Sequence, residues 1–164
     1  MNRQPTLEGK LVAVRPLRPD DFDQLFAVAA DPLLWAQHPD RERWREDVFR
    51  AYFDDHLASG GALTVVERAT GDAIGATRYD NHDPAASEVE IGWTFLARPY
   101  WGGAYNADLK RIMLGHAFES VETVVFLVDA QNLRSRRAVE KLGAVEGGVR
   151  RGMVLYVLHS APNY

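Results

Sequence analysis

Cysteine is absent from the 164 residues of the sequence. Its absence excludes disulfide bonds, a thiolate nucleophile and any cysteine-based metal site, and no metal ion is expected. No block of basic residues is long enough to follow a nucleic-acid backbone, and the net charge is −4, so a dedicated nucleic-acid-binding protein is not expected. No apolar run approaches the length of a membrane span, which argues against a membrane protein.

The first ten residues, MNRQPTLEGK, contain no apolar stretch of the kind found in secretory signals. A cytoplasmic location is therefore expected. The length is typical of one ordinary domain with a single substantial core, so residues 1–164 are predicted to form one domain. The common nucleotide-binding signatures are missing as well, because the sequence has neither GxxxxGK[ST] nor GxGxxG.

The most informative stretch runs from Glu88 to Phe118 and predicts a strand, a glycine-containing turn and a helix. In the strand, 88–96, two sets of side chains alternate with a period of two, which predicts that they lie on opposite faces. The apolar face would carry Val89, Ile91, Trp93 and Phe95, and the other face Glu88, Glu90, Gly92 and Thr94.

The turn contains Gly102 and Gly103, and Asn106 is a plausible N-cap for the helix that follows. That helix has the apolar stripe of a core-facing element, formed by Leu109, Ile112, Met113 and Ala117. A glycine-rich turn at a helix start offers unpaired N–H groups and the positive end of the helix dipole, both of which favour a phosphate or pyrophosphate. A tight turn with no ligand explains the two glycines equally well.

Two segments resemble the GNAT superfamily of N-acetyltransferases. Residues 99–104 (PYWGGA) are similar to its motif A, Q/R-x-x-G-x-G/A, with Pro99 in place of Gln or Arg. The segment Val124–Ala144, with Asn132, Ser135 and the closing Leu-Gly-Ala, resembles motif B of the branch that acetylates ribosomal-protein alanine, the RimJ/RimL-like branch. The two motifs have the order and spacing of that family.

The remaining elements are predicted to be a first strand, two helices beginning near Pro19 and Arg41, a hairpin, and later strands at 123–129 and 153–158. Between these two strands, Asn132 is predicted to cap a helix that continues through Leu142 and stops at Gly143. The resulting order, β-α-α-β-β-β-α-β-α-β, predicts an α+β (mixed α/β) domain. The resemblance implies a GNAT-type acyl-CoA N-acyltransferase fold, with a central mixed, mostly antiparallel sheet and helices on both faces.

The resemblance also implies acetyl-CoA as co-substrate. Glu90, the glutamate before motif A, is the predicted general base. The alternative is a solvated strand carboxylate, or one paired with an arginine such as Arg78. Ser135, or a water, is the predicted proton donor to the leaving sulfur, since the tyrosine that some relatives use is replaced by Val139. Arg136 or Arg137 would bind the 3′-phosphate of coenzyme A. A solvent-exposed helix face explains these arginines equally well. The predicted cofactor-binding residues are Phe95, Leu96, Trp101, Gly102, Gly103, Ala104, Tyr105, Asn106, Asn132, Ser135 and Arg137.

The function implied is transfer of an acetyl group from acetyl-CoA to a primary amine, of a protein N-terminus or a small molecule, by direct attack in a ternary complex. No covalent enzyme intermediate is needed, since proximity supplies much of the barrier reduction. The alternative is a non-catalytic CoA-binding module that acts as a sensor or docking domain. Dimerisation is common in the family, and the segment Met153–Tyr164 offers a strand for it. The sequence does not choose the acceptor.

Overall fold

The computed structural model describes residues 1–159. Within them the chain forms eight strands and four helices. In chain order these are β1 (Leu7–Glu8), β2 (Val12–Pro16), α1 (Phe22–Ala29), α2 (Glu46–Ala58), β3 (Ala62–Glu67), β4 (Ala73–Asp83), β5 (Glu88–Leu96), α3 (Ala104–Phe118), β6 (Thr123–Val128), α4 (Leu133–Lys141), β7 (Val145–Arg150) and β8 (Met153–Leu158). Short 3-10 turns lie at Pro19–Asp21, Pro32–Trp35 and Arg98–Tyr100.

All eight strands belong to one sheet with the order β1-β2-β3-β4-β5-β6-β8-β7. Neighbouring strands are antiparallel except for β5 and β6, which are parallel. The parallel pairing is short, because it joins only Glu88–Glu90 to Thr123–Val125. Beyond Glu90 and Val125 the two strands are not paired with each other, and a gap opens between their C-terminal halves.

Helices cover both faces of the sheet, each over its own apolar core. On one face α3 and α4 pack against the sheet through residues such as Leu109, Met113 and Val139. On the other face α1, α2 and the turn at Pro32–Trp35 enclose an aromatic cluster. The sequence prediction of an α+β domain with a mixed, mostly antiparallel sheet and helices on both faces is therefore confirmed.

A β-bulge in β5 changes which side chains share a face. Ala76 of β4 pairs with Phe95, but Arg78 pairs with Gly92, so β5 has one residue more than its partner there. Trp93, inside the bulge, has a φ of +51°. An extra residue reverses the alternation beyond it. Ile91 accordingly lies in the core under α3, whereas Phe95 lies in the core under α1 and α2. The prediction that these two residues share a face was wrong.

Other differences concern element boundaries. The N-cap of α3 is Gly103, not Asn106, and Asn106 lies inside the helix. Helix α2 begins at Glu46, several residues after the predicted start, and its first turn carries Glu46 and Asp47, where the helix dipole favours acidic residues. Strand β7 was not predicted, since its Gly147-Gly148 pair lacks the usual strand pattern.

The C-terminal strand β8 lies between β6 and β7, so both of its edges are already paired. It therefore offers no free edge to a neighbouring chain, and residues 160–164 of the segment predicted for that role lie outside the described residues. None of the helices in residues 1–159 has the length and apolar character that crossing a membrane requires.

Candidate active site

The gap between β5 and β6 is the floor of a cleft of about 910 Å³. One wall is the start of α3, and the opposite wall is α4. The third side is the segment from Leu34 to Arg43, between α1 and α2. Met153, at the start of β8, completes the lining. The cleft therefore exists because the two central strands separate and both predicted motifs border the space between them.

The N-terminus of α3 presents free hydrogen-bond donors to this cleft. Among residues 1–159 the structure records no acceptor for the N–H groups of residues 102–106, as expected at a helix start. A Cβ placed on Gly102 or Gly103 would meet no atom within 4 Å, so the space above both residues is open. Gly102 has a φ of +83°, which favours glycine. This arrangement fits a phosphate or pyrophosphate group.

Trp101 connects the two walls of the cleft. Its Nε1 donates a hydrogen bond of 2.8 Å to the carbonyl oxygen of Leu96, at the end of β5. The guanidinium of Arg134, on α4, lies 3.6 Å from the centre of the Trp101 ring. Arg134 also donates its backbone N–H to the side chain of Gln37 at 3.1 Å. Motif A, α4 and the segment after α1 are thus held together at one end of the cleft.

Helix α4 begins with the predicted cap. Asn132 is buried, and its Oδ1 accepts a hydrogen bond of 3.3 Å from the backbone N–H of Ser135. Ser135 and Arg137 both line the cleft. Arg136 does not, because its guanidinium binds Tyr156 at 2.9 Å and Glu146 at 3.4 Å. Of the two arginines considered for a phosphate, only Arg137 is therefore placed to meet one.

The cleft is strongly cationic although the whole chain is acidic. Five of its lining residues carry a basic side chain: Arg43, Lys110, Arg134, Arg137 and Lys141. Asp129 is the single carboxylate in the lining. A local excess of positive charge in a cleft concentrates anionic ligands there, even when the protein as a whole has a net charge of −4. An anionic ligand therefore matches the charge of this cleft.

The structure brings nearly all the predicted cofactor-binding residues to this one cleft. Phe95, Leu96, Trp101, Gly102, Gly103, Ala104, Asn106, Asn132, Ser135 and Arg137 all line it. Tyr105 does not. Its hydroxyl donates a hydrogen bond of 3.1 Å to Glu67 on β3, and its ring packs against Tyr100 at 4.8 Å between ring centres.

Glu90 lies beside the cleft, not on its lining, and is 3% exposed. Its Oε2 accepts a hydrogen bond from Asn81 at 2.7 Å and another from the guanidinium of Arg151. Neither bond reaches Oε1, which lies 3.7 Å from the position that a Cβ of Gly92 would occupy. Gly92 itself lines the cleft, so this oxygen lies close to a residue of the lining.

Glu88 has its own arginine. Its Oε1 accepts a hydrogen bond of 2.5 Å from Arg150, and the same contact raises the pKa of the Arg150 guanidinium. Arg150 and Arg151 lie together at the turn between β7 and β8. Each of the two glutamates therefore has an arginine partner at this turn.

Two groups of cleft residues were not identified from the sequence. The first is Lys110 on α3 with Thr94 on β5, which are joined by a hydrogen bond of 3.2 Å. The sequence signal that could have identified Lys110 is a lysine next to the apolar stripe of the predicted helix. The second is His38 and Arg43, which come from the segment after α1. Burial, and then the nearby Arg43, lower the pKa of His38 to about 4, so that this ring is neutral near pH 7.

Comparisons with known proteins agree with this geometry. Among curated proteins, none shows a significant match to the chain. An acetyltransferase from Agrobacterium tumefaciens str. C58 has a similar structure, with a TM-score of 0.75 and 26% identity over 95% of each chain. A GCN5-related N-acetyltransferase from Brucella melitensis has a TM-score of 0.83 at 19% identity, over 95% of this chain and 79% of its own, which supports the fold.

Residues 12–145 match the family described as the acetyltransferase (GNAT) domain. The match includes both motifs, both strands that border the cleft, and α3 and α4. Among the described residues, no group of three or more His, Asp or Glu side chains is arranged to hold a metal ion. The fold, the cleft and the sequence match lead to one conclusion: the chain belongs to the GNAT family of acetyltransferases.

Proposed function

We propose that the protein transfers an acetyl group from acetyl-CoA to a primary amine, by direct attack of the amine while both substrates are bound. The observation that carries the proposal is the cationic cleft between β5 and β6, with the free N–H groups of residues 102–106 at one end. A pyrophosphate-bearing ligand matches both the charge and the donors of this cleft.

The residues that would hold the ligand follow from their positions. The N–H groups of residues 102–106 would bind the pyrophosphate, and Arg137 would bind a further phosphate, since arginine suits phosphate geometry. Phe95 and Leu96 from β5 would border the pantetheine arm. When bound, acetyl-CoA supplies an activated acyl carbon and a thiolate leaving group.

An incoming amine must lose a proton to react. Glu90 is the proposed acceptor of this proton, through a water at Oε1, because Oε2 is occupied by Asn81 and Arg151. The hydroxyl of Ser135, on the opposite wall, is proposed to form a hydrogen bond with the leaving sulfur, directly or through a water. The role of Glu90 is general-base catalysis, which contributes typically about 10²–10⁴-fold to a rate.

The acceptor proposed is the α-amine of a protein N-terminus or a small-molecule amine. This choice, and the place of the chain in the RimJ/RimL-like branch, rest on the resemblance of motif B. The ion pair between Glu90 and Arg151 is the observation that favours the second candidate, a CoA-binding module without turnover. The arginine occupies one oxygen of this carboxylate, which leaves fewer positions at which it could receive a proton from an amine.

One experiment separates the two functions. Purified protein is incubated with acetyl-CoA and a panel of small amines and N-terminal peptides, and released thiol is measured. Saturable, amine-dependent thiol release supports the enzyme. Binding of CoA by calorimetry without turnover on any amine supports the non-catalytic module. Absence of binding would contradict both, since each requires the cleft to hold CoA.

A further inference from the structure

Lys110 is a buried lysine in the lining of the cleft, and it forms no ion pair with any carboxylate of residues 1–159. The residue is 6% exposed. Its Nζ donates a hydrogen bond of 3.2 Å to Thr94 Oγ1 and lies 5.6 Å from the centre of the Phe126 ring. Neither contact neutralises the charge, and a buried charge without an ionic partner is costly to a folded protein. A bound ligand that develops negative charge beside the ammonium of Lys110 would offset this cost.

The position of Nζ is set by both central strands. Thr94 belongs to β5, and the bulge at Trp93 turns its side chain to the face that α3 covers. Phe126 is the first residue of β6 beyond the short parallel pairing that ends at Val125. Nζ therefore lies at the point where the two strands begin to separate, which we call the apex of the cleft.

The apex is remote from the phosphate end. Lys110 is six residues into α3 from Ala104. At a rise of about 1.5 Å per residue, it lies about 9 Å along the helix from the N-terminal N–H groups. A ligand anchored by its phosphates at residues 102–106 therefore reaches Lys110 with its other end. In CoA that end is the sulfur.

We propose that Lys110 is a catalytic residue, whose ammonium group stabilises and protonates the sulfur that leaves during acyl transfer. The inference rests on the proposed function. In the step, the amine nitrogen forms a bond to the acyl carbon and the C–S bond breaks, with its electron pair remaining on sulfur. The proton of the amine passes to the water at Glu90. Nζ gives a proton to sulfur and recovers one from solvent after CoA leaves.

The acid strength of Lys110 suits this task. Burial alone lowers its pKa to about 8, and no charged neighbour contributes. A thiol titrates near ~8.5, so donor and acceptor are well matched, whereas a serine hydroxyl does not titrate in this range. Ser135 then orients the sulfur and Lys110 supplies the proton. The other titratable or charged groups in the lining are His38, Arg43, Asp129, Arg134, Arg137 and Lys141.

The test follows the thiol of bound CoA itself. Free CoA is titrated from about pH 6 to about pH 10 in the presence of saturating protein, and the ultraviolet absorbance of the thiolate is recorded for wild type and for Lys110→Met. In the wild type, the ammonium is expected to lower the pKa of the bound thiol, so that the thiolate fraction below pH 8 is about tenfold that of free CoA. In Lys110→Met this gain is expected to disappear.

Two further variants sharpen the result. Lys110→Arg keeps the positive charge but cannot release a proton, so it should retain the thiolate gain and lose most of the rate. The proposal predicts that kcat of the wild type falls above about pH 8, and this fall should be absent in Lys110→Arg. Lys141→Met removes a cation from the exposed part of the same cleft and should leave the thiol titration unchanged. Thermal unfolding verifies that each variant folds, and Lys110→Gln replaces Lys110→Met if the latter does not.

Equal thiol titration in wild type and Lys110→Met, with CoA bound to both, would overturn the assignment of Lys110. That outcome leaves the proposed function standing, because binding and turnover are measured separately. If the wild type does not bind CoA at all, the proposed function fails first. Full turnover by Lys110→Arg with an unchanged pH profile would also overturn the role of Lys110 as proton donor.

Discussion

Lys110→Met is expected to make the folded protein more stable near neutral pH. The pKa of Lys110 falls from 10.5 to about 8 because burial penalises the charged form. At about 1.4 kcal/mol per pKa unit, the buried charge destabilises the fold by on the order of 3 kcal/mol. Methionine occupies a similar volume without a charge. It loses the hydrogen bond to Thr94, worth about 1 kcal/mol, while Thr94 keeps its partner Thr77 at 2.9 Å.

The net gain is therefore about 2 kcal/mol, and it depends on pH with a definite sign. Between about pH 8 and 10.5 the unfolded wild type binds more protons at this lysine than the folded one, so the wild-type stability rises with pH across that window. The penalty is complete below about pH 8 and absent above about 10.5. The advantage of Lys110→Met should therefore fall across the same window, and above about pH 10.5 the variant should be less stable than the wild type by about 1 kcal/mol, because only the lost hydrogen bond to Thr94 remains.

Urea unfolding followed by circular dichroism, at several pH values between about 6 and 10, measures this difference. Groups that titrate equally in both proteins cancel in the comparison. Lys141→Met serves as the control, because Lys141 is exposed and should show no such dependence. A variant less stable than wild type at pH 7, or a difference that stays constant with pH, would refute the reasoning that Lys110 carries a buried charge.

Three further predictions concern the cleft. Gly103→Pro removes an N–H donor at the start of α3 and should weaken CoA binding at least tenfold by calorimetry while circular dichroism shows an intact fold; unchanged affinity would contradict the role of this turn in binding phosphate. Ser135→Ala should lower kcat with little change in acetyl-CoA affinity; lost affinity with kcat preserved would make Ser135 a binding residue only. Glu90→Gln should lower kcat by about 10²–10⁴ and remove the acidic limb of the pH–rate profile, with Glu88→Gln as the matched control; an unchanged limb would mean that Glu90 is structural.

Local patterns in the sequence were sufficient for part of the site. The bounds of β5 at Glu88 and Leu96 match the prediction, and so does the role of Asn132 as cap of α4. Both follow from short-range rules, a two-residue alternation and a side-chain oxygen that accepts an N–H at the helix start. The glycine pair before α3 predicted the open turn at the start of that helix, and the binding of a phosphate there stays a prediction.

Features that depend on the neighbouring strands were not predictable in this way. The bulge at Trp93 arises because β5 has one residue more than β4 at this point, and the sequence of β5 alone does not indicate it. The start of α3 is a similar case. Asn106 is a residue type that often caps helices, but the turn before α3 makes Gly103 the cap and places Asn106 inside the helix. The alternation rule failed at Phe95 since it assumes an uninterrupted strand.

Contacts distant in sequence were missed for a related reason. The pairing of Glu90 with Arg151 joins residues 61 positions apart, through the turn between β7 and β8. The sequence suggested Arg78 as the partner, but Arg78 binds Asp55 and Asp80 instead. Lys110 lies among buried helix positions, and only the separation of β5 from β6 gives it a cleft to face.

The most direct measurement is a crystal structure of the protein with CoA. The account predicts that the pyrophosphate accepts hydrogen bonds from the N–H groups of residues 102–106 and that the pantetheine arm runs between β5 and β6. The sulfur should end at the apex, within hydrogen-bonding distance of Lys110 Nζ. CoA bound outside the cleft, or inside it with its phosphates away from the start of α3, would contradict the account.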